Sequence, residues 1–133
     1  MYFFLKLAVV LLSLSVAYQL WEVMATGKAL HTYGHDQVRL DAHKRARHLV
    51  VPLIVVLVCA VLYLETFAVP KQAFHSLLQA HIALIGFFVW TFSVAWFLNG
   101  LRAPNVHRKM APHVLPIWCV AMLFGFVLLY LLP

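Results

Sequence analysis

Four long apolar stretches alternate with shorter polar stretches along this chain. The apolar stretches run from Phe3 to Met24, from Leu49 to Phe67, from Ser76 to Leu98 and from Val114 to Leu132. A helix that crosses the hydrocarbon core of a bilayer, about 30 Å thick, needs about 20 mostly apolar residues, and each stretch is close to that length. We therefore predict an all-α membrane protein, a bundle of four transmembrane helices in a single domain over residues 1–133.

The composition narrows the functions that such a chain can have. Hydrophobic residues make up 65% of the 133 residues and charged residues 11%, whereas soluble domains have about 25% charged residues. The four stretches leave no room for a soluble domain. The sequence has no nucleophile beside a base, no glycine-rich phosphate loop and no paired acids, so we expect no hydrolytic activity and no enzyme.

The basic residues lie mostly at one end of the predicted helices. The net charge is +6, and eight of the ten lysines and arginines lie between the first and second stretches, at the start of the second, or between the third and fourth. Basic loops stay in the cytoplasm, so we expect both of these loops there and both termini outside, in a bacterial inner membrane. Nucleic acid is not an expected partner because no motif that reads it accompanies the bases.

The polar segment after the first stretch suggests where the first two helices end and begin. Gly27 predicts the end of the first helix, and residues 28–42 then form a polar, solvated loop. Asp41 is suited to cap the second helix, because its carboxylate can accept hydrogen bonds from the free amides of the first turn. This start places His43 in the opening turn and Pro52 one or two turns inside the helix.

A short internal repeat relates the two halves of the chain. An offset of 64 residues places His43 on His107 and Pro52 on Pro116, and it also places the first two stretches on the last two. Such a repeat predicts two helical hairpins of the same topology, related by an axis along the membrane normal. The two histidines would then lie at the same depth, on the cytoplasmic side.

These two histidines are the candidate ligands for a cofactor. The start of a helix disfavours a positive charge, so His43 and His107 should carry the neutral imidazole that copper or haem iron requires. His48 or His113 could complete this inner site. The adjacent bases could bind anionic lipid head groups, or a carboxylate or phosphate of a ligand; they are Lys44, Arg45, Arg108 and Lys109.

A second candidate site lies nearer the outer ends of the helices. His81 is an ionisable residue inside a predicted membrane helix, which marks a functional candidate. Its level is about 20 Å from the inner histidines at the ~1.5 Å rise of a helix, so one ion cannot join all three. Glu65 and His75 are its candidate partners. A metal site and a plain hydrogen bond between His81 and Glu65 both fit the sequence.

Several short motifs together resemble a known family. They are Ala42-His43-Lys44-Arg45, Ala80-His81-Ile82, His107-Arg108-Lys109, Pro116-Ile117-Trp118 and the run from Gly125 to Tyr130. In these motifs the chain, from about Asp41 onward, resembles a family of small four-helix membrane proteins of unknown function. Members of the CtaM type are associated with the biogenesis of haem-copper terminal oxidases, often near copper-delivery proteins of the SCO kind. The resemblance implies a four-helix bundle that assists metal or haem insertion, with His43, His81 and His107 as the recurring histidines.

Three functions follow from these observations. The first is an accessory or assembly protein of a larger membrane metalloenzyme, a haem-copper oxidase, that binds metal or haem transiently through histidine. The second is an electron-transfer subunit that holds b-type haem between His43 and His107, the pair at one depth. The third is a structural subunit of a membrane complex, in which the histidines have no chemical role.

Overall fold

Four helices make up nearly all of the described chain. The computed structural model describes residues 2–67, 75–100 and 104–131. Its helices are α1 (Phe3–Tyr33), α2 (Gln37–Phe67), α3 (His75–Gly100) and α4 (Pro104–Leu131). Each contains a segment long and apolar enough to cross a membrane. The predicted all-α fold class with four membrane-length helices is therefore confirmed.

The helices pack in two pairs. α1 packs against α2 and α3 against α4, and the chain divides into two compact units, residues 1–69 and 70–133. The first pair is an antiparallel hairpin over its whole length. At its open end the Tyr2 hydroxyl donates to the carbonyl of Phe67 (3.4 Å), and at the other end a linker of residues 34–36 joins the two helices. We call the pairs hairpin one and hairpin two.

Each helix buries one narrow stripe of residues, spaced alternately about three and four apart, which we call its seam. This is the spacing at which antiparallel helices pack closely along one another. The buried residues are Val9, Ser13, Val16, Leu20 and Leu30 in α1, Ala46, Val50, Leu57 and Leu64 in α2, His81, Phe88, Thr91 and Ala95 in α3, and Val114, Trp118 and Ala121 in α4. Each seam mixes apolar side chains with small or polar ones, while many large apolar side chains face outward, as expected for helices surrounded by lipid.

The ends of the first two helices differ from those predicted. α1 continues through Gly27 to Tyr33, and α2 already begins at Gln37, so the predicted loop over residues 28–42 is wrong. The helices extend beyond their apolar segments because the backbone hydrogen bonds of a helix form within the helix itself, in water as well as in lipid. The chain turns at Gly34 instead, with φ +93° and ψ 168°, a conformation that is essentially limited to glycine.

The cap of α2 is Asp36, so the prediction of Asp41 as the cap is wrong. Asp36 Oδ1 accepts the backbone N–H of Arg39 (2.8 Å), which is the usual geometry of a helix N-cap. Asp41 lies in the second turn, where its Oδ1 accepts from Gln37 Nε2 (2.8 Å). His43 consequently lies in the second turn rather than the opening one, and Pro52 lies about four turns after the first residue of α2.

Arg39 stabilises the turn of hairpin one through three contacts. Its guanidinium donates to the carbonyl of Tyr33 at the end of α1 (2.8 Å) and forms an ion pair with Asp36 Oδ2 (2.8 Å). It also lies over the ring of Tyr33, 5.2 Å from the centroid, a cation–π distance. One side chain of α2 therefore satisfies an end carbonyl of α1 and holds the cap of its own helix.

We expect the substitution Gly34→Ala to destabilise hairpin one by about 1–3 kcal/mol, because an alanine side chain is strained at this positive φ. Gly86→Ala is the matched control, since a Cβ at this exposed helical position meets no atom within 4 Å; it should be neutral or slightly stabilising. Denaturant unfolding of the detergent-solubilised chain, followed by circular dichroism, measures both. Equal midpoints for the two variants would contradict the role assigned to Gly34.

Candidate functional site

His43 faces the seam of hairpin one and binds α1. Its Nδ1 lies 3.0 Å from the hydroxyl oxygen of Thr26, which itself lies 2.7 Å from the carbonyl of Glu22. A threonine hydroxyl has a single proton, which it donates to that carbonyl. This arrangement favours the tautomer in which His43 donates its Nδ1–H to Thr26 Oγ1, and the contact fixes the orientation of the ring.

The ring of His43 also rests on Gly27. A Cβ added at Gly27 would lie only 3.2 Å from His43 Cε1, closer than side-chain contacts usually come. The missing side chain is what lets the imidazole approach the α1 backbone. The glycine that was predicted to end the helix is instead a contact surface inside it.

His107 makes the corresponding contact in hairpin two. Its Nδ1 lies 2.7 Å from the carbonyl oxygen of Ala95, on the preceding helix. A carbonyl only accepts, so Nδ1 carries the proton, and in the neutral ring Nε2 holds the lone pair. Both histidines of the predicted repeat thus use Nδ1 to bind the helix that precedes their own. His48 and His113 are exposed, so neither joins a seam.

The repeat holds for the second helix of each hairpin but not for the first. At the offset of 64 residues, Val50 and Val114 are both buried, and so are Leu57 and Ala121. The basic pairs and the prolines that correspond are all exposed. In the first helices the burial does not correspond, because buried Ala95 falls on His31, which is exposed. His43 and His107 belong to different hairpins, and a site that joins them stays a prediction.

His81 lies in the seam at the other end of hairpin two. It is 8% exposed and forms a hydrogen bond with the backbone of Ala121, while its Nδ1 has no hydrogen-bond partner among the described residues. A Cβ at Gly125 would lie 2.9 Å from His81 Cε1, so this glycine makes the space for the ring. The side chains of Glu65 and His75, its predicted partners, lie outside the described part of the chain.

Among the described residues, no larger cluster of metal-binding side chains surrounds the predicted histidine ligands. In the described ranges no three or more His, Cys, Asp or Glu residues come together to hold a metal ion, and Cys59 and Cys119 are free thiols. His43, His81 and His107 each form a hydrogen bond with the neighbouring helix of the same hairpin instead. What the described residues can offer a metal or haem iron is single imidazoles, oriented by a neighbouring helix.

Sequence reasoning found the histidines but not the residues that hold them. Thr26, Gly27, Ala95 and Gly125 were not predicted as partners. A signal for the glycines is present in the spacing: Gly27 lies seven residues after buried Leu20, and Gly125 lies seven after buried Trp118. A glycine in register with a heptad stripe of a membrane helix marks a close approach of another helix.

The fold and these contacts define the class of protein: a helical membrane protein with four membrane-length helices, in which His43, His81 and His107 form hydrogen bonds across hairpin seams. No known family matches the sequence, and comparisons with curated proteins and with solved structures give no match.

We expect Gly125→Ala to destabilise hairpin two by about 1–3 kcal/mol, because the added methyl group overlaps the buried ring of His81. Gly27→Ala should cost less, since its nearest approach to His43 is 3.2 Å rather than 2.9 Å. The measurement is denaturant unfolding in detergent, with a double-mutant cycle between Gly125→Ala and His81→Ala. The two changes should be less than additive, since removal of the ring makes room for the methyl group; strict additivity would contradict the contact.

Proposed function

We propose that this chain is an integral membrane accessory protein that assists the assembly of a larger membrane metalloenzyme of the haem-copper oxidase class. In this proposal it lies in a bacterial inner membrane, with the basic residues between the first two and between the last two apolar stretches in the cytoplasm. His43 and His107 contact the metal or haem iron as cargo in transit to the enzyme. The chain itself catalyses no reaction.

The observation that carries the proposal is the shared orientation of the two histidines. Each ring is held through Nδ1 by an oxygen of the preceding helix, Thr26 Oγ1 in one hairpin and the Ala95 carbonyl in the other. Histidines that bind metal commonly donate the other ring N–H to a carbonyl or a similar acceptor, which fixes the tautomer and directs Nε2 to the metal. The geometry of His107 matches this arrangement directly.

The small number of ligands favours passage of a metal over its storage. A resident zinc or copper centre is held by three or four protein ligands, while the described residues offer single oriented imidazoles. One or two neutral imidazoles bind weakly enough to release an ion to a site with more ligands. The oxidase class of the recipient rests on the resemblance of the histidine motifs, which supports this part of the proposal.

A structural role is the second candidate, and the same hydrogen bonds favour it. Polar side chains fasten membrane helices to one another because lipid offers them no other partner. His43 and His107 could serve only to fasten the hairpins of a subunit that packs against a larger enzyme. The two functions differ in whether the imidazole is needed or only its Nδ1–H donor.

The test replaces His43 and His107 together, either by alanine or by asparagine. An asparagine side chain can donate from near the position of Nδ1, so it can retain the bond to the neighbouring helix, but it has no imidazole nitrogen for a metal. We expect both double variants to insert into the membrane and both to reduce oxidase activity at least tenfold in cells that depend on this chain. The measurement is oxygen consumption, together with the copper and haem content of the isolated oxidase.

The asparagine variant separates the two functions. If it restores the oxidase to the wild-type level while alanine does not, the histidines are structural and the metal role is refuted. Unchanged oxidase with both variants would refute any need for these side chains. The electron-transfer alternative is decided by visible absorption, since a Soret band from the purified chain made with ample haem would favour resident haem over transit.

A further inference from the structure

Two exposed basic pairs occupy equivalent places in the two hairpins. Lys44 and Arg45 lie in the third turn of α2, and Arg108 and Lys109 in the second turn of α4, at the offset of 64 residues. All four side chains are exposed. A histidine follows one turn below each pair, His48 in α2 and His113 in α4, and both are exposed as well.

Among the described residues, neither basic pair takes part in an ion pair. Asp36 forms its ion pair with Arg39, and Asp41 accepts from Gln37. Within the described residues, Lys44 and Arg45 form no ion pair, and the described part of hairpin two contains no aspartate or glutamate at all. The charged groups of both pairs are therefore exposed and available to a ligand beside the helix.

An exposed apolar strip continues from each basic pair along the same helix. In α2 it begins with Leu49 and Pro52 and continues through Val55 and Val56 to Leu62. In α4 it begins with Pro116 and continues through Val120, Leu123 and Val127. Both helices share a basic pair, then an exposed histidine, then an exposed proline at the same offset, Pro52 or Pro116, and then an exposed apolar strip.

This arrangement, charges followed by an apolar strip, is complementary to an amphipathic ligand with an anionic head group and an apolar chain. We propose that each hairpin binds an anionic membrane lipid, with its phosphate on the basic pair and an acyl chain along the apolar strip. Basic side chains next to a membrane span attract anionic lipids, and they do so most strongly at the level of the head groups. Lysine and arginine stems can lie along apolar surface while their charges stay at that level.

A lipid fits better than a free phosphate because the apolar strip is continuous with the charges. A free phosphate would use only the basic pair and would leave the strip without a role. The sites are separate from the seam histidines, since the pairs face outward and the histidine rings face inward. The inference therefore does not depend on the proposed function in enzyme assembly.

The test is native mass spectrometry of the purified chain in mild detergent, titrated with phosphatidylglycerol. We expect two bound lipids per chain in the wild type. The double variants Lys44→Gln/Arg45→Gln and Arg108→Gln/Lys109→Gln should each lose one of them, and the fourfold variant should lose both. Each removed base should weaken its site about fivefold, so each pair about 25-fold, from the known attraction of one base at an anionic surface.

Control experiments distinguish lipid binding at these two sites from a general attraction of anionic lipid to a positively charged protein. The double variant Lys6→Gln/Lys28→Gln removes two charges from α1, one near each end of the helix, and should retain both lipids with unchanged affinity. Phosphatidylcholine should bind at least tenfold more weakly, and inorganic phosphate should not displace the bound lipid. The proposal is overturned if the control loses lipid like the basic-pair variants, if these variants retain both lipids, if phosphatidylcholine binds equally well, or if inorganic phosphate competes.

Discussion

Close approach of two helices in lipid depends on contacts other than the hydrophobic effect. An apolar side chain gains little by leaving lipid for a neighbouring helix, so small residues and hydrogen bonds must hold the pair together. Both hairpins use the same device, a histidine ring placed on a glycine of the other helix: His43 on Gly27 and His81 on Gly125. This packing decides which ring atoms of His43 and His81 face a neighbour, while the carbonyl of Ala95 orients His107.

The same constraint explains which parts of the fold could be predicted. The four membrane-length helices follow from apolarity, since the bilayer selects for length and composition. The helix ends do not follow from it, because apolarity shows where lipid lies and not where a helix begins. Those ends depend on local chemistry: the conformation of Gly34, the Asp36 cap and the Arg39 contact with Tyr33. Of these, the Asp36 cap was open to sequence reasoning, since an aspartate directly before a helical segment is a standard start signal.

The candidate site shows a similar division between what could be predicted and what could not. His81 stands out in the sequence because an ionisable residue is costly inside a membrane helix, and His43 and His107 stand out through the internal repeat. Their partners are a threonine hydroxyl, a backbone carbonyl and two glycines, which are common features that mark nothing by themselves. The rule that apolar residues form the core also fails here, since large apolar side chains lie on both the lipid side and the seam. The three- and four-residue spacing of the buried positions is the better guide to the seam.

The length of α1 has a consequence for what can reach this protein from the aqueous side. If hydrocarbon covers the apolar stretch that ends at Met24, the nine residues from there to Tyr33 extend the helix by about 14 Å. The tip of hairpin one would then extend beyond the lipid head groups as two helix ends joined by a three-residue turn, rather than as a long loop. A soluble protein could touch it without approaching the bilayer, and its height above the membrane would be fixed by helix geometry.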